Sequence, residues 1–157
     1  GGLRVSDMLL LQWKHFDGTN INFTIAKTGS QLSIKVPTKG LEILKKYKPT
    51  IANADAFIFP MLPPEIKLDD PQAVDIAISR ATAHINNNLK RIKNDAGIGK
   101  HISFHISRHT WATRALKKGM SIDKVSKLMG HAAIRETQIY AKIVNTELDK
   151  AMDVFND

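Results

Sequence analysis

Between Ala73 and Asp95 the apolar residues Ile78, Ala81, Ile85, Leu89 and Ile92 recur at steps of 3, 4, 4 and 3. That spacing keeps one face of a helix apolar and demands a partner surface to bury it. Gly97 is placed to end this helix, and the punctuation then repeats. Ser103 opens a second helix through Lys118 that Gly119 closes, and Ser121 opens a third that Gly130 closes. Small hydroxyl residues before a helix and glycine after it are the usual start and stop signals. A fourth helix is expected from Thr137 onward, carrying Ile139, Ile143 and Val144.

Ahead of this helical run the pattern changes period. Asn20 to Ala26 and Gln31 to Val36 alternate apolar and polar residues around Lys27-Thr28-Gly29-Ser30, which predicts two strands joined by a tight turn. Residues 1–13 read as a short helix that starts almost at the first residue, with no preceding cap or linker, so the front edge of the domain is expected to be truncated. Thr38 is placed to cap a helix bearing Leu41, Leu44 and Tyr47 that Pro49 ends, and Phe57-Ile58-Phe59 offers a third short strand before a proline-containing loop over 61–71. The expected fold class is mainly α with a small antiparallel β-sheet. With 157 residues and 43% hydrophobic content, one core is the natural expectation.

The absence of cysteine excludes disulfides, thiolate metal sites and cysteine nucleophiles and is compatible with a reducing cytoplasm. The longest apolar run, Met8 to Leu11, is far too short to span a bilayer. A cytoplasmic protein without membrane contact is therefore expected. Charge is unevenly spread along the chain. Residues 71–127 hold 11 basic and 3 acidic side chains, whereas 128–157 hold 3 and 5. A basic stretch of that kind is the electrostatic footprint of a nucleic-acid binder, although basic domains also simply solvate their lysines.

Several residues within this frame could carry chemistry. His105 and Arg108 lie three apart on one predicted helix, so both could address one anion. Arg4 precedes Asp7 by one helical turn, which places a carboxylate to steady its guanidinium. Lys27 sits at the hairpin tip. His131 follows the helix-ending Gly130, and Tyr140 comes nine residues later. Singly, each has a structural reading as well: a surface cation, a routine ion pair, a solvated turn, a capping histidine and a core tyrosine.

As an ordered set, Gly-Leu-Arg-x-Ser-Asp, a hairpin Lys-Thr-Gly, "HISRHTWATRALKKGMSIDKVSKLMGH" and "TQIYAKI" resemble the catalytic domain of the tyrosine recombinases, or phage integrase family. The two longer stretches carry the resemblance, since they match residue types, spacing and helix punctuation together. The stretch "GLRVSDMLLLQWKHF" also looks like integrases of bacterial conjugative elements. The resemblance implies that Arg4 and Arg108 are the paired catalytic arginines, Lys27 the hairpin lysine, His105 and His131 the active-site histidines and Tyr140 the nucleophile, with Asp7 and His109 in support. It implies a catalytic domain over 1–144. The tail over 145–157 is expected to form a helix, either exchanged between protomers or packed on its own domain. The implied partner is double-stranded DNA, bound by a homotetramer of the intact protein with accessory DNA-bending proteins, and no cofactor or metal is expected.

Those residue types suit phosphoryl transfer. Attack on a phosphodiester adds charge to the non-bridging oxygens, and guanidinium forks match that geometry. A phenol with an ordinary pKa of about 10 needs a base or a cationic field to attack. A lysine on a mobile tip could protonate the departing 5′-oxygen. Three other readings share some of these features. A non-catalytic helix-turn-helix module would use the helices after Ser103 and Ser121, with phosphate contacts from Arg114, Lys117 and Lys118. A metal hydrolase would use His101, His105 and His109 at four-residue spacing. A type IB topoisomerase would share the tyrosine chemistry.

Overall fold

Asp70 opens the longest helix of the protein, in a computed structural model that describes residues 2–48 and 53–142. Its carboxylate accepts the Ala73 N–H at 3.0 Å while Pro71, which has no N–H to satisfy, takes the first helical position. The elements run in the order α1 (Val5–Leu9), a single 3₁₀ turn (Trp13–His15), β1 (Asn20–Thr24), β2 (Gln31–Lys35), α2 (Thr38–Tyr47), α3 (Pro71–Asp95), α4 (Phe104–Lys117) and α5 (Ile122–Met129). A further helical segment covers residues 135–142. The fold is mainly helical with one antiparallel pair of strands, as the sequence implies. No helix among the described residues is long and apolar enough to cross a membrane.

The chain divides into two compact units, one over Arg4–Phe104 and the other comprising residues 1–3 and 105–157. In the first unit, Leu9, Leu62 and Ala81 are buried together, and Val5, Phe57, Ile78 and Ile85 pack around them. The apolar stripe of α3 is thus half used. Ile78, Ala81 and Ile85 meet this cluster, whereas Ile92, at the far end of the same stripe, is 60% exposed.

β1 and β2 pair with Ile21 opposite Ile34 and Phe23 opposite Leu32, which gathers the apolar side chains on one face. Both strands stop one or two residues short of the expected Ala26 and Val36. The Ala26 N–H leaves the ladder direction to donate to Asp7 Oδ1 at 3.1 Å, so residues 25–30 become a six-residue loop. Within it the Gly29 N–H donates to the Ile25 carbonyl at 2.9 Å, and Gly29 sits at φ +67°. Lys27 is exposed at the tip.

Three further expectations need correcting. Phe57-Ile58-Phe59 is not a strand: it makes one isolated bridge, Phe57 with Gln12, because its partner segment turns at once into the 3₁₀ turn at Trp13. Thr38 is the first residue of α2 rather than its cap, a position taken by Pro37. The segment after α5 is helical from residue 135, ahead of the expected Thr137. Pro49, Ile143, Val144 and the tail over 145–157 lie outside the described residues.

In the second unit Ala112, Ala115, Val125, Met129 and Tyr140 form the buried cluster, with Trp111, Leu116 and Met120 against it. α4 and α5 end alike. At Gly130, φ +63°, the glycine N–H donates to the Lys127 carbonyl at 3.0 Å and the His131 N–H to the Ser126 carbonyl at 3.1 Å. This paired closure satisfies the last carbonyls and needs a left-handed residue that glycine alone adopts cheaply. Gly119 closes α4 through the equivalent bonds from Gly119 to Leu116 and from Met120 to Ala115.

Candidate active site

The three residues after Gly130 leave α5 in a fixed direction, and this sets the position of His131. Its Nδ1 lies 2.7 Å from Thr137 Oγ1, a hydroxyl with no solvent exposure. Thr137 precedes Tyr140 by one helical turn on the segment 135–142, so one short helix carries both the partner of His131 and the tyrosine.

Tyr140 is 4% exposed, and its ring belongs to the core of this unit. The hydroxyl lies 2.7 Å from His109 Nδ1. His109 in turn meets His105 edge-on, with ring centroids 4.4 Å apart. These two histidines are four residues apart on α4, which stacks them on one face. Burial pushes the Tyr140 phenol above its ordinary value, an effect opposed by the Arg108 charge. Burial, and then the neighbouring His105 and Arg108, hold His109 below the ordinary histidine value. The neutral imidazole is therefore favoured, and in the tautomer with its proton on Nε2 the Nδ1 accepts from the phenol.

Arg108 is 3% exposed, which removes the solvated surface cation as a reading of this residue. Its guanidinium donates to the Gly2 carbonyl through one terminal nitrogen and, at 2.7 Å, to the Met129 carbonyl through the other. The second acceptor is the last residue of α5, where the helix dipole favours a cation. Two carbonyls from distant parts of the sequence thus fix the plane of the fork. Gly2 can approach this closely because it has no side chain: a Cβ there would lie 2.9 Å from Trp111 Cε3.

Arg4, Asp7 and Lys27 belong to the first unit. Arg4 lies at the N-cap position of α1, with its guanidinium 3.9 Å from Asp7 Oδ2. Asp7 is buried and also holds the Ala26 N–H, so one carboxylate links α1 to the loop that carries Lys27. The expected acidic support for the first arginine therefore has a second task, which spacing along α1 could not show.

Arg114, Lys117 and Lys118 are exposed at the C-terminal end of α4. His101 precedes α4, so His101, His105 and His109 do not form the helical triplet that a metal site on one helix face would need. Thr137 and Gly2 were not singled out from the sequence. The first sits inside "TQIY" and the second inside Gly-Gly-Leu; only the pairing partners, 6 and 106 positions away, reveal their use.

A model of the phage integrase family matches residues 1–147. The chain belongs to the phage integrase family. This family member is 26% identical over 154 residues to the tyrosine recombinase XerC of Xanthomonas axonopodis pv. citri (strain 306), an overlap covering 97% of this chain and 46% of the relative. It is 38% identical over 88 residues to the tyrosine recombinase XerD of Lacticaseibacillus casei, covering 53% of this chain and 29% of the relative. The chain thus spans about half the length of the XerC relative that it matches nearly end to end. Among solved structures, XerA recombinase superposes with a TM-score of 0.67 at 21% identity, over 99% of this chain and 52% of that one. XerH site-specific recombinase, bound to palindromic difH substrate in a post-cleavage complex, superposes with a TM-score of 0.68 at 19% identity, over 99% and 43%. The fold of this phage integrase family member is that of the tyrosine recombinases.

Proposed function

We propose that the chain is the catalytic part of a site-specific DNA recombinase or integrase that cuts and rejoins strands through a 3′-phosphotyrosyl link at Tyr140. The observation that carries this reading is the setting of Tyr140. A buried phenol is hydrogen-bonded to the His109 imidazole in the same unit that clamps Arg108 and fixes His131. A structural tyrosine or a helix-turn-helix module has no use for that set. Relatives bearing the name tyrosine recombinase, a solved site-specific recombinase described as bound to difH substrate and a solved transposon integrase described in complex with transposon right-end DNA support it.

In the reaction, the Tyr140 oxygen attacks the scissile phosphorus and the 5′-oxygen leaves. Arg4 and Arg108 stabilise the charge that builds on the non-bridging oxygens. Lys27, exposed on its loop, protonates the departing oxygen. The phosphotyrosyl bond stores the energy of the broken strand, so rejoining needs neither ATP nor a metal. The basic side chains of residues 71–127 supply salt-sensitive attraction to double-stranded DNA, with Arg114, Lys117 and Lys118 as phosphate contacts. We infer a DNA-bound homotetramer with accessory bending proteins as the working assembly of the intact protein, in the cytoplasm.

The test is a nicked DNA substrate, which traps the cleaved strand, incubated with the full-length protein in the presence of a chelator. A denaturation-resistant protein-DNA adduct is expected. Specific DNA binding without an adduct would instead establish the non-catalytic module.

A further inference from the structure

We propose that His109, rather than His105 or His131, is the general base that takes the phenolic proton as Tyr140 attacks. This assignment rests on the strand-transfer reading above and names one further catalytic residue for it.

Geometry selects His109. Its Nδ1 lies 2.7 Å from the Tyr140 oxygen, within reach for direct proton transfer. The Nδ1 of His131 is engaged with Thr137 Oγ1, and His105 meets the His109 ring edge-on. Burial of Tyr140 keeps bulk water from serving as the acceptor. With the proton of the imidazole on Nε2, the phenol donates to Nδ1 and the pair is already aligned for transfer.

Electrostatics make the base conditional. The charged and titratable groups facing His109 are His105 and Arg108 from α4 and Tyr140 from the segment 135–142. Burial, His105 and Arg108 all disfavour a positive charge on His109, so an imidazolium there is costly while the site holds no anion. A DNA phosphate brings the compensating negative charge. Tyr140 thus gives up its proton only as it attacks a scissile phosphate and stays a phenol otherwise.

The step balances. The Tyr140 O–H bond breaks as its oxygen bonds to phosphorus, and the proton moves to His109 Nδ1. The bond from phosphorus to the 5′-oxygen breaks, and that oxygen takes its proton from Lys27. On rejoining, a 5′-hydroxyl attacks phosphorus and gives its proton back to Lys27, the bond from phosphorus to the Tyr140 oxygen breaks, and His109 returns its proton to that oxygen.

Single-turnover cleavage of the nicked substrate by the full-length protein, from about pH 5 to about pH 9, tests the assignment. The wild type should rise with pH through a single inflection, as His109 loses its proton, and then level off. H109Q should bind DNA normally, cleave on the order of 100-fold more slowly at neutral pH, and lose that inflection, rising with hydroxide instead. In H109A, added imidazole should recover at least about tenfold of the loss. H109Q cleaving within about threefold of wild type, or keeping the wild-type inflection, overturns the assignment. A faster H109Q also overturns it and makes the hydrogen bond a latch on the nucleophile. No adduct from the wild type would sink the strand-transfer reading itself, a result distinct from every variant outcome.

Discussion

His131 is tied to Thr137 by a 2.7 Å hydrogen bond, and Thr137 lies one helical turn before Tyr140. The histidine and the tyrosine are therefore not positioned independently. Thr137→Val keeps the shape of a fully buried side chain and deletes its hydroxyl. It should cost about 1–2 kcal/mol of stability and slow cleavage about tenfold, while Thr137→Ser stays near wild type. Thermal unfolding and single-turnover cleavage check both numbers, and a Val variant that cleaves at the wild-type rate would remove Thr137 from the site.

Gly2 is expected to be as sensitive as a core residue. An added methyl would meet the Trp111 ring at 2.9 Å and the Arg108 Cγ at 3.5 Å, while the Gly2 carbonyl accepts from the guanidinium. Gly2→Ala should lower stability by about 1–3 kcal/mol, the usual range for overpacking, and weaken cleavage by displacing Arg108. A urea midpoint equal to wild type would mean that the segment before α1 is not held as described.

The base of the hairpin should loosen in acid. Asp17 accepts the Asn20 and Thr19 N–H groups at 2.7 and 2.9 Å and the Asn22 amide at 2.9 Å. These bonds, that from Asn20 foremost, hold its carboxyl below the ordinary 3.8. A group depressed on folding contributes stability that is complete above its unfolded value and is lost as pH falls through the folded one. Amide exchange at Thr19 and Asn20 should therefore accelerate as pH drops below about 4. Asp17→Ala should show fast exchange at every pH, and a hairpin whose protection is flat through acid would contradict this origin.

Lys27 is assigned to the leaving group, which predicts a chemical rescue. Lys27→Ala should slow cleavage severely on ordinary DNA and recover most of the loss on a substrate with sulfur at the 5′-bridging position, since a thiolate leaves without an acid. Arg108→Ala should show no such recovery, because the charge that it stabilises is on the non-bridging oxygens. Equal slowness of Lys27→Ala on both substrates would reassign the lysine to phosphate positioning.

Local chemistry was legible where neighbours in sequence are neighbours in space. Gly97, Gly119 and Gly130 end their helices at positive φ because the closure involves only the last turn. The start of α3 was local but misread: Pro71, expected in the loop over 61–71, is the first residue of the helix that Asp70 caps, two residues before the expected Ala73. What could not be read were the long-range partners. The expected strand at Phe57 depended on a partner that curls away at Trp13, where Gln12 and His15 cap one another. The two acceptors that hold Arg108, the Gly2 and Met129 carbonyls, come from parts of the sequence far from α4 and could not be read from the spacing of His105 and Arg108. The ring of Tyr140 lies in the core, as its structural reading had it, while its hydroxyl meets His109, a partner 31 positions away that the sequence did not single out for it.

The account stands most directly on the identity of the residue joined to DNA. Peptide mapping by mass spectrometry of the adduct trapped on a nicked substrate, with wild type and Tyr140→Phe in parallel, measures it. The wild type should carry the 3′-phosphoryl mass on the peptide that contains Tyr140. The variant, folded and binding DNA as tightly, should yield no adduct, because only the attacking oxygen is missing. An adduct on any other residue, or one that persists in Tyr140→Phe, would contradict the account.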